Sequence, residues 1–387
     1  MMATVASSIQ LDKGKRRTGP RLMKLEALRG FAALYIVFAH FANVILHRPS
    51  WVLPLRFGTE AVGLFFVLSG FVIYYSTFGE SKELLAGDYF VKRTRRIYPL
   101  FLCSLVMSYA FISLAGRALL PLDLRNLVGN VLMLQDTEGG HPGVWFNSYY
   151  NPVYWSLSYE WWFYILFFAV NRRITDTKKQ QFVVAAGALL GFALTMTFPN
   201  QPALFLKAFM SWWCGVELAR EYCESGMVTW KGQRTTIGLL ALMTAASLVP
   251  VFIDLFHHRP ILFGGYPFND FRLISSSLWF VLAGVLWRRI GFVGFSWTFG
   301  WFAAVAPISY GIYIFHYPIL VLIDSRWPGF PRVAELLAIL AVTFLVAYLF
   351  EVRIQRLINR WTRVHLLSPS DGDRRKAAPM NRGPQFR

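Results

Sequence analysis

The sequence predicts an all-α polytopic membrane protein of about ten transmembrane helices, and three observations lead there. Of the 387 residues, 55% are hydrophobic and 16% charged, against about 25% charged in soluble domains. The apolar residues gather into runs of bilayer-spanning length, about 20 residues each, and the mean hydropathy is +0.42. The basic residues fall mostly in alternate segments between those runs. Together these exclude a disordered chain and an ordinary soluble enzyme.

Residues 1–24 are basic and polar, with Lys13, Lys15, Arg16, Arg17, Arg21 and Lys24. They are expected to form a cytoplasmic N-terminal segment. A signal peptide is rejected because the apolar run that follows ends in Leu46, His47, Arg48 and Pro49 with no small-residue cleavage site. Apolar runs between polar or Pro/Gly-rich breaks then place spans at roughly 29–46, 61–78, 97–115, 153–170, 182–198, 203–219, 236–253, 272–287, 304–323 and 333–350. Segment 124–134 is apolar but short, which predicts a re-entrant or interfacial piece. The stretch 291–303 reads either as a separate piece or as an extension of the ninth span.

With the N-terminus inside, segments 1–30, 79–96, 171–181, 217–235, 288–303 and 351–387 hold 30 of the 39 Lys and Arg. That asymmetry predicts both termini in the cytoplasm. It also accounts for the net charge of +18 without a nucleic-acid partner, whose footprint would be a basic face. One transmembrane domain, 25–353, is therefore expected, followed by a basic tail, 354–387, read as disordered and lipid-facing, with no appended soluble domain. Cys103, Cys214 and Cys223 form no even framework and no metal-ligand spacing, so neither disulfides nor a metal is expected.

An ionisable side chain inside a span costs about 2.5–3.5 kcal/mol on insertion scales, so each one kept there is a functional candidate. Arg29 and His40 share the first span. Eleven residues at 100° each bring them within about 20° of one another, roughly 16 Å apart along one helix face. A cation near the inner surface and an imidazole near mid-membrane result. Glu160 sits in the fourth span among Tyr154, Trp155, Ser156, Tyr159, Trp161 and Trp162. It is either half of a structural pair or a carboxylate that orients an imidazole. His316 in the ninth span shares a stripe with Ser309 and Tyr313 and lies roughly 18 Å from the inner end, close to the depth of His40. Two histidines and a glutamate are thus expected in one layer. Taken alone, His316 reads as well as a histidine bonded to its own helix. Lys207, Glu217 and Arg272 lie near span ends.

Two further motifs are positional. Phe65–Phe71 carries Ser69 and Gly70 in an aromatic helix, a signal for close helix packing. Arg93 and Arg96 stand one turn apart at the inner interface, a geometry that suits phosphate and equally suits positive-inside anchoring. At the outer ends, Trp155 and Tyr313 are candidates to stack on an acceptor, although Trp145, Tyr149, Tyr150, Trp155 and Trp161 also fit an interfacial aromatic belt. The loop from Gln135 to Pro152, with Asp136, Glu138, His141 and Asn147, offers acceptor contacts.

In order and spacing these residues resemble acyltransferase family 3. The resemblance rests on Leu25-Glu26-Ala27-Leu28-Arg29-Gly30 leading to His40, Phe65–Phe71, the Arg93/Arg96 pair, Trp155–Glu160, and Ser309–His316. It covers about residues 24–353. It implies a ten-helix bundle in which acyl-CoA, as a co-substrate from the cytoplasm, acylates a sugar hydroxyl of a cell-surface or exported polysaccharide or its lipid-linked precursor. Acetyl is the expected group and the bacterial inner membrane the expected location, with no bound cofactor and no nucleic-acid partner. Carried over residue by residue, Arg29 and His40 are catalytic, Glu160 and His316 join them, and Arg93 and Arg96 with Arg29 bind the donor. Two positions depart from the family pattern. Gly63 stands where an acidic residue is common, and Arg353 where a proline commonly follows Glu351. The competing class is a transporter or flippase of lipid-linked sugars, since ten spans with buried charge also describe a carrier.

Overall fold

Each predicted span becomes a helix. The computed structural model describes residues 20–47, 50–77, 85–137 and 140–365. The long helices are α1 (Pro20–Val44), α2 (Gly58–Thr77), α3 (Ala86–Gly116), α5 (Trp155–Arg173), α6 (Thr177–Thr197), α7 (Gln201–Ser225), α8 (Trp230–Phe256), α9 (Phe268–Arg289), α11 (Ser309–Arg326) and α12 (Arg332–Ala347). Between them lie short helices α4 (Leu124–Val131) and α10 (Phe295–Thr298), and α13 (Gln355–His365) follows the last. Among the described residues, eight helices are long and apolar enough to cross a membrane. The two long helices outside that set, α5 and α7, run through the bundle interior. Trp212 and Trp213 of α7 are fully buried, as are Tyr159 and Phe163 of α5. A helix wrapped by other helices can keep Lys207, Glu217 and Arg220, because its neighbours rather than lipid answer their polarity.

Helices in lipid gain no hydrophobic drive from one another, so close van der Waals approach must replace it. The α2–α7 crossing achieves this with facing glycines. A Cβ on Gly70 would overlap the Trp212 carbonyl oxygen, and one on Gly215 would overlap that of Val67. Gly63, the departure from the family pattern, serves the next crossing, where a Cβ would run into Ser276 Oγ of α9.

Two prolines convert a lost helical bond into a link between helices. A proline removes the donor for the carbonyl four residues earlier. Below Pro99 of α3, the freed Arg95 carbonyl accepts from Gln355 Nε2 at 2.6 Å. Below Pro318 of α11, the Ile314 carbonyl accepts from Ser104 Oγ and Asn151 Nδ2, both at 3.1 Å.

The ambiguous stretch 291–303 does not extend the ninth span. It forms α10 and a 3-10 turn at Gly300–Ala304, packed on the inner half of α1, where Gly30 admits the Phe302 carbonyl. The short segment after Asp123 is α4, capped by the Asp123 carboxylate at Asn126 N, 3.0 Å. A two-residue parallel ladder, Gln135–Asp136 with Phe146–Asn147, ties down the outer loop. At the other end α13 meets α3 through Arg95 and Thr362, so α1 starts and α13 ends at the same end of the bundle, as an even number of crossings requires. The basic segment up to residue 19, the tail beyond residue 365 and Glu138 lie outside the described residues.

Candidate active site

A cavity of about 410 Å³ occupies the end of the bundle away from the termini. Its walls come from the last turns of α1, the first turns of α2, α5, α7 and α9, the outer loop at Thr137 and His141, and Tyr313 and Tyr317 of α11. His40 lines this cavity and His316 does not. His316 is fully buried behind it.

The two imidazoles meet, His316 Nε2 to His40 Nδ1 at 3.2 Å, and their surroundings fix the protons. His316 Nδ1 faces two carbonyl oxygens, Tyr313 at 2.8 Å and Ile312 at 3.1 Å. A nitrogen between two acceptors must carry the hydrogen, which leaves His316 Nε2 as an acceptor. His40 Nδ1 must then donate, shared between His316 Nε2 and the Ile36 carbonyl at 3.1 Å. Its Nε2 is left with a lone pair and, among the described residues, no protein partner. Tyr317 stands edge-on to the His40 ring, with centroids 5.7 Å apart.

Glu160, expected in the same layer, is bonded to hydroxyl groups rather than to an imidazole. Its Oε1 accepts from Ser69 Oγ at 2.9 Å and from the Tyr164 hydroxyl, and no hydrogen bond ties it to either imidazole among the described residues. Arg29 feels the charges of Arg96, Glu351, Glu26 and, last, Glu160, and the Glu160 charge also reaches Tyr310 and Tyr313 of α11. The inner end therefore gathers Arg29, Arg93, Arg96, Glu160 and Glu351. Arg29 Nη2 donates to the Ala306 carbonyl at 2.8 Å, and Glu351 Oε2 accepts from Gly311 N at 2.6 Å. Arg93 packs its guanidinium near the Tyr89 and Tyr164 rings, while Arg96 is exposed. Arg29 Nε and Arg93 Nε are buried with no hydrogen-bond partner among the described residues. An unmet buried donor costs about 1–3 kcal/mol, which an anion seated there would recover.

Trp155 and Tyr313 both line the outer cavity. The Tyr313 hydroxyl is bonded to Val153 O at 2.9 Å and Ser156 Oγ at 2.6 Å, so its ring rather than its hydroxyl is left to meet a ligand.

Of the loop expected to offer acceptor contacts, His141 lines the cavity and Asp136 stands behind it, both in one charged cluster. Asp270 accepts from Lys207 Nζ and lies 2.7 Å from His141 Nε2, and His141 Nδ1 stands 3.4 Å from Asp136. Asp136 also accepts from the Tyr159 hydroxyl at 2.7 Å and from Thr137 N at 2.6 Å. Burial would lower the His141 pKa, but the Asp270 and Asp136 carboxylates overcome it and push it up to about 9. Arg272 pairs both carboxylate oxygens of Glu60, at 2.6 and 2.7 Å. Lys207 and Arg272 stood out in the sequence as charges near span ends; Asp270 and Glu60 did not. The signal was available, since a cation held in an apolar span demands a carboxylate from another element.

The family model for the acyltransferase domain matches residues 24–352. Curated relatives share parts of the chain. Nodulation protein 10 of Rhizobium leguminosarum bv. viciae is 38% identical over 96 residues, 24% of this chain and 25% of that protein. Acyltransferase MdmB of Streptomyces mycarofaciens is 30% identical over 160 residues, 38% of each. Protein 2 in picA locus of Rhizobium radiobacter is 35% identical over 96 residues, 24% of this chain and 46% of that protein. The matches thus span between a quarter and just under half of these relatives. No solved structure matches the chain.

Proposed function

The chain belongs to acyltransferase family 3, and on that premise we propose that it moves an acetyl group from acetyl-CoA to a sugar hydroxyl of an exported or cell-surface polysaccharide, or of its lipid-linked precursor, at a bacterial cytoplasmic membrane. The observation that carries this reading is the free Nε2 of His40. It is a base of fixed tautomer, open to a cavity large enough for a sugar and walled by aromatic and polar groups. A thioester is already activated, so the protein has to align it and deprotonate an alcohol.

In this reading the acceptor hydroxyl enters the outer cavity and gives its proton to His40 Nε2 as its oxygen attacks the thioester carbonyl. The tetrahedral intermediate collapses, the C–S bond breaks, and the His40 imidazolium returns the proton to the departing thiolate. His316 is a positioning residue that holds the His40 hydrogen on Nδ1. Arg29, Arg93 and Arg96 bind the donor's phosphates through charge-assisted hydrogen bonds, with the pantetheine chain reaching from there toward His40. Glu160 and Glu351 set the charge around those arginines. Trp155 and Tyr313 stack on the sugar.

The test is the acyl-ester content of exported polysaccharide, measured by proton NMR before and after mild base in cells with the wild type, His40→Ala or no protein. Base-labile ester with the wild type alone supports the reading, given equal membrane levels of the variant. Equal ester in all three, with less polysaccharide exported by the two altered strains, overturns it and favours a carrier.

A further inference from the structure

The walls of the outer cavity hold more positive charge than they neutralise among the described residues. Arg272 is matched by Glu60 in a two-point pair, and Lys207 and His141 are matched by Asp270 and Asp136. Three cations face three carboxylates. Arg56, on the same wall, faces none. Its guanidinium lies 4.6 Å from the centroid of the Phe263 ring and has no hydrogen bond or ion pair among the described residues.

The position is nonetheless a built one. Arg272 Nη2 donates to the Arg56 carbonyl at 2.8 Å, and Arg56 N donates to Leu53 O at 3.1 Å. The Phe263 ring also takes the Arg272 guanidinium, 3.8 Å from its centroid. Backbone and ring are thus both held by a residue that is itself fully paired, while the Arg56 head group is left to bind. Three residues further along, Thr59 Oγ1 donates to Asn269 Oδ1 at 2.6 Å. That bond orients the amide and leaves Asn269 Nδ2 on the same cavity wall without a protein acceptor among the described residues. A guanidinium and an amide N–H that line one cavity, neither with a protein acceptor among the described residues, are the donor types that take an oxyanion.

We propose that the acceptor is an acidic saccharide, whose carboxylate or phosphate is received by the Arg56 guanidinium and the Asn269 amide while a hydroxyl of the same molecule reaches His40. This deepens, and rests on, the reading of the outer cavity as the acceptor site. The anionic group serves to register the sugar, so that one hydroxyl among several meets the imidazole.

The test uses the full chain in lipid nanodiscs, titrated calorimetrically with cellobiose, cellobiouronic acid and cellobiose 1-phosphate. We expect at least one acidic probe to bind about tenfold more tightly than cellobiose, the scale of one charge-assisted hydrogen bond. The stronger of the two acidic arms identifies the anion. Arg56→Gln should erase the acidic advantage and leave cellobiose binding unchanged, and Arg56→Lys should retain part of it. Equal binding of all three probes by the wild type, no binding of any, or an equal loss for acidic and neutral probes in Arg56→Gln overturns the inference. The same complexes are then given acetyl-CoA. Arg56-dependent binding with no ester formed on any probe refutes the acyl-transfer reading but not this one. Ester formed on cellobiose as readily as on the acidic probes refutes this one but not acyl transfer.

Discussion

At the outer end of the bundle, Lys207, His141 and Arg272 each face a carboxylate at bonding distance; at the inner end, Arg29 and Arg93 each keep a buried Nε without a partner among the described residues, and Arg96 is exposed. The outer charges are spent on holding α2, α7, α9 and the outer loop around a cavity. Paired ions of this sort contribute geometry more than net stability, because desolvation offsets most of their attraction. The inner Arg29 and Arg93 each keep an unmet N–H, which suits a polyanionic donor that arrives and leaves. The difference teaches that buried charge alone does not mark chemistry in a membrane bundle; its unmet bonding capacity does. By that criterion the inner arginines, His40 Nε2 and Arg56 stand open, whereas the unmet Arg220 Nε and His141 Nδ1 belong to side chains already held in ion pairs.

The largest expected effect divides the two ends at the imidazole. His40→Ala should lower kcat by about 10²–10⁴-fold, the range of a general base, with the KM for acyl-CoA little changed, read in membranes with labelled acetyl-CoA. Arg93→Ala and Arg96→Ala should do the reverse, raising the KM for acyl-CoA about tenfold each with kcat nearly preserved. An equal rise in the KM for the acceptor would break the division of labour between the ends. His316→Ala should lower kcat roughly tenfold without altering either KM, since the His40 proton is then free to choose its nitrogen. His316→Gln, whose side-chain oxygen can accept from His40 Nδ1, should recover part of the loss, and a variant no better than alanine would contradict the positioning role.

A smaller effect concerns the crossing that holds the two ends in register. Gly70→Ala at the α2–α7 contact should cost about 1–3 kcal/mol by overpacking, seen as a lower unfolding temperature in detergent, whereas Gly238→Ala, where nothing lies within 4 Å, should be silent. The smallest follows from His141. Its pKa is raised from the ordinary 6.5 to about 9, so its contribution to stability is complete below about pH 6.5 and is lost as pH rises through about 9. Thermal unfolding of the wild type should weaken across that window relative to His141→Gln, and parallel curves for the two proteins would refute the clamp.

Much of this was legible in the sequence for physical reasons. Period and length give the spans, and the 11-residue interval places Arg29 and His40 on one face of α1. The Ser69-Gly70 pair marked a close crossing, and Gly70 supplies it. What sequence could not provide was partner choice between distant segments. Glu160 sits in a span at a depth that suggested the imidazoles, yet its nearest donors are Ser69, 91 residues earlier, and Tyr164, one turn on. Lys207 and Asp270 are 63 residues apart, and neither flanking sequence names the other. The interior placement of α5 and α7 was hidden for a related reason. Their polar and aromatic content weakens the membrane signal because they are shielded from lipid, which is a property of the assembled bundle.

The most direct test of the central claim, donor at the inner end and acceptor at the outer, is sidedness. Labelled acetyl-CoA is supplied to membrane vesicles of each orientation, with the wild type or His40→Ala. Ester is expected on the acceptor when acetyl-CoA reaches the face bearing Arg29, Arg93 and Arg96, with at least about 10²-fold less in the variant. Transfer from acetyl-CoA presented only at the cavity face, or undiminished transfer in His40→Ala, would contradict it.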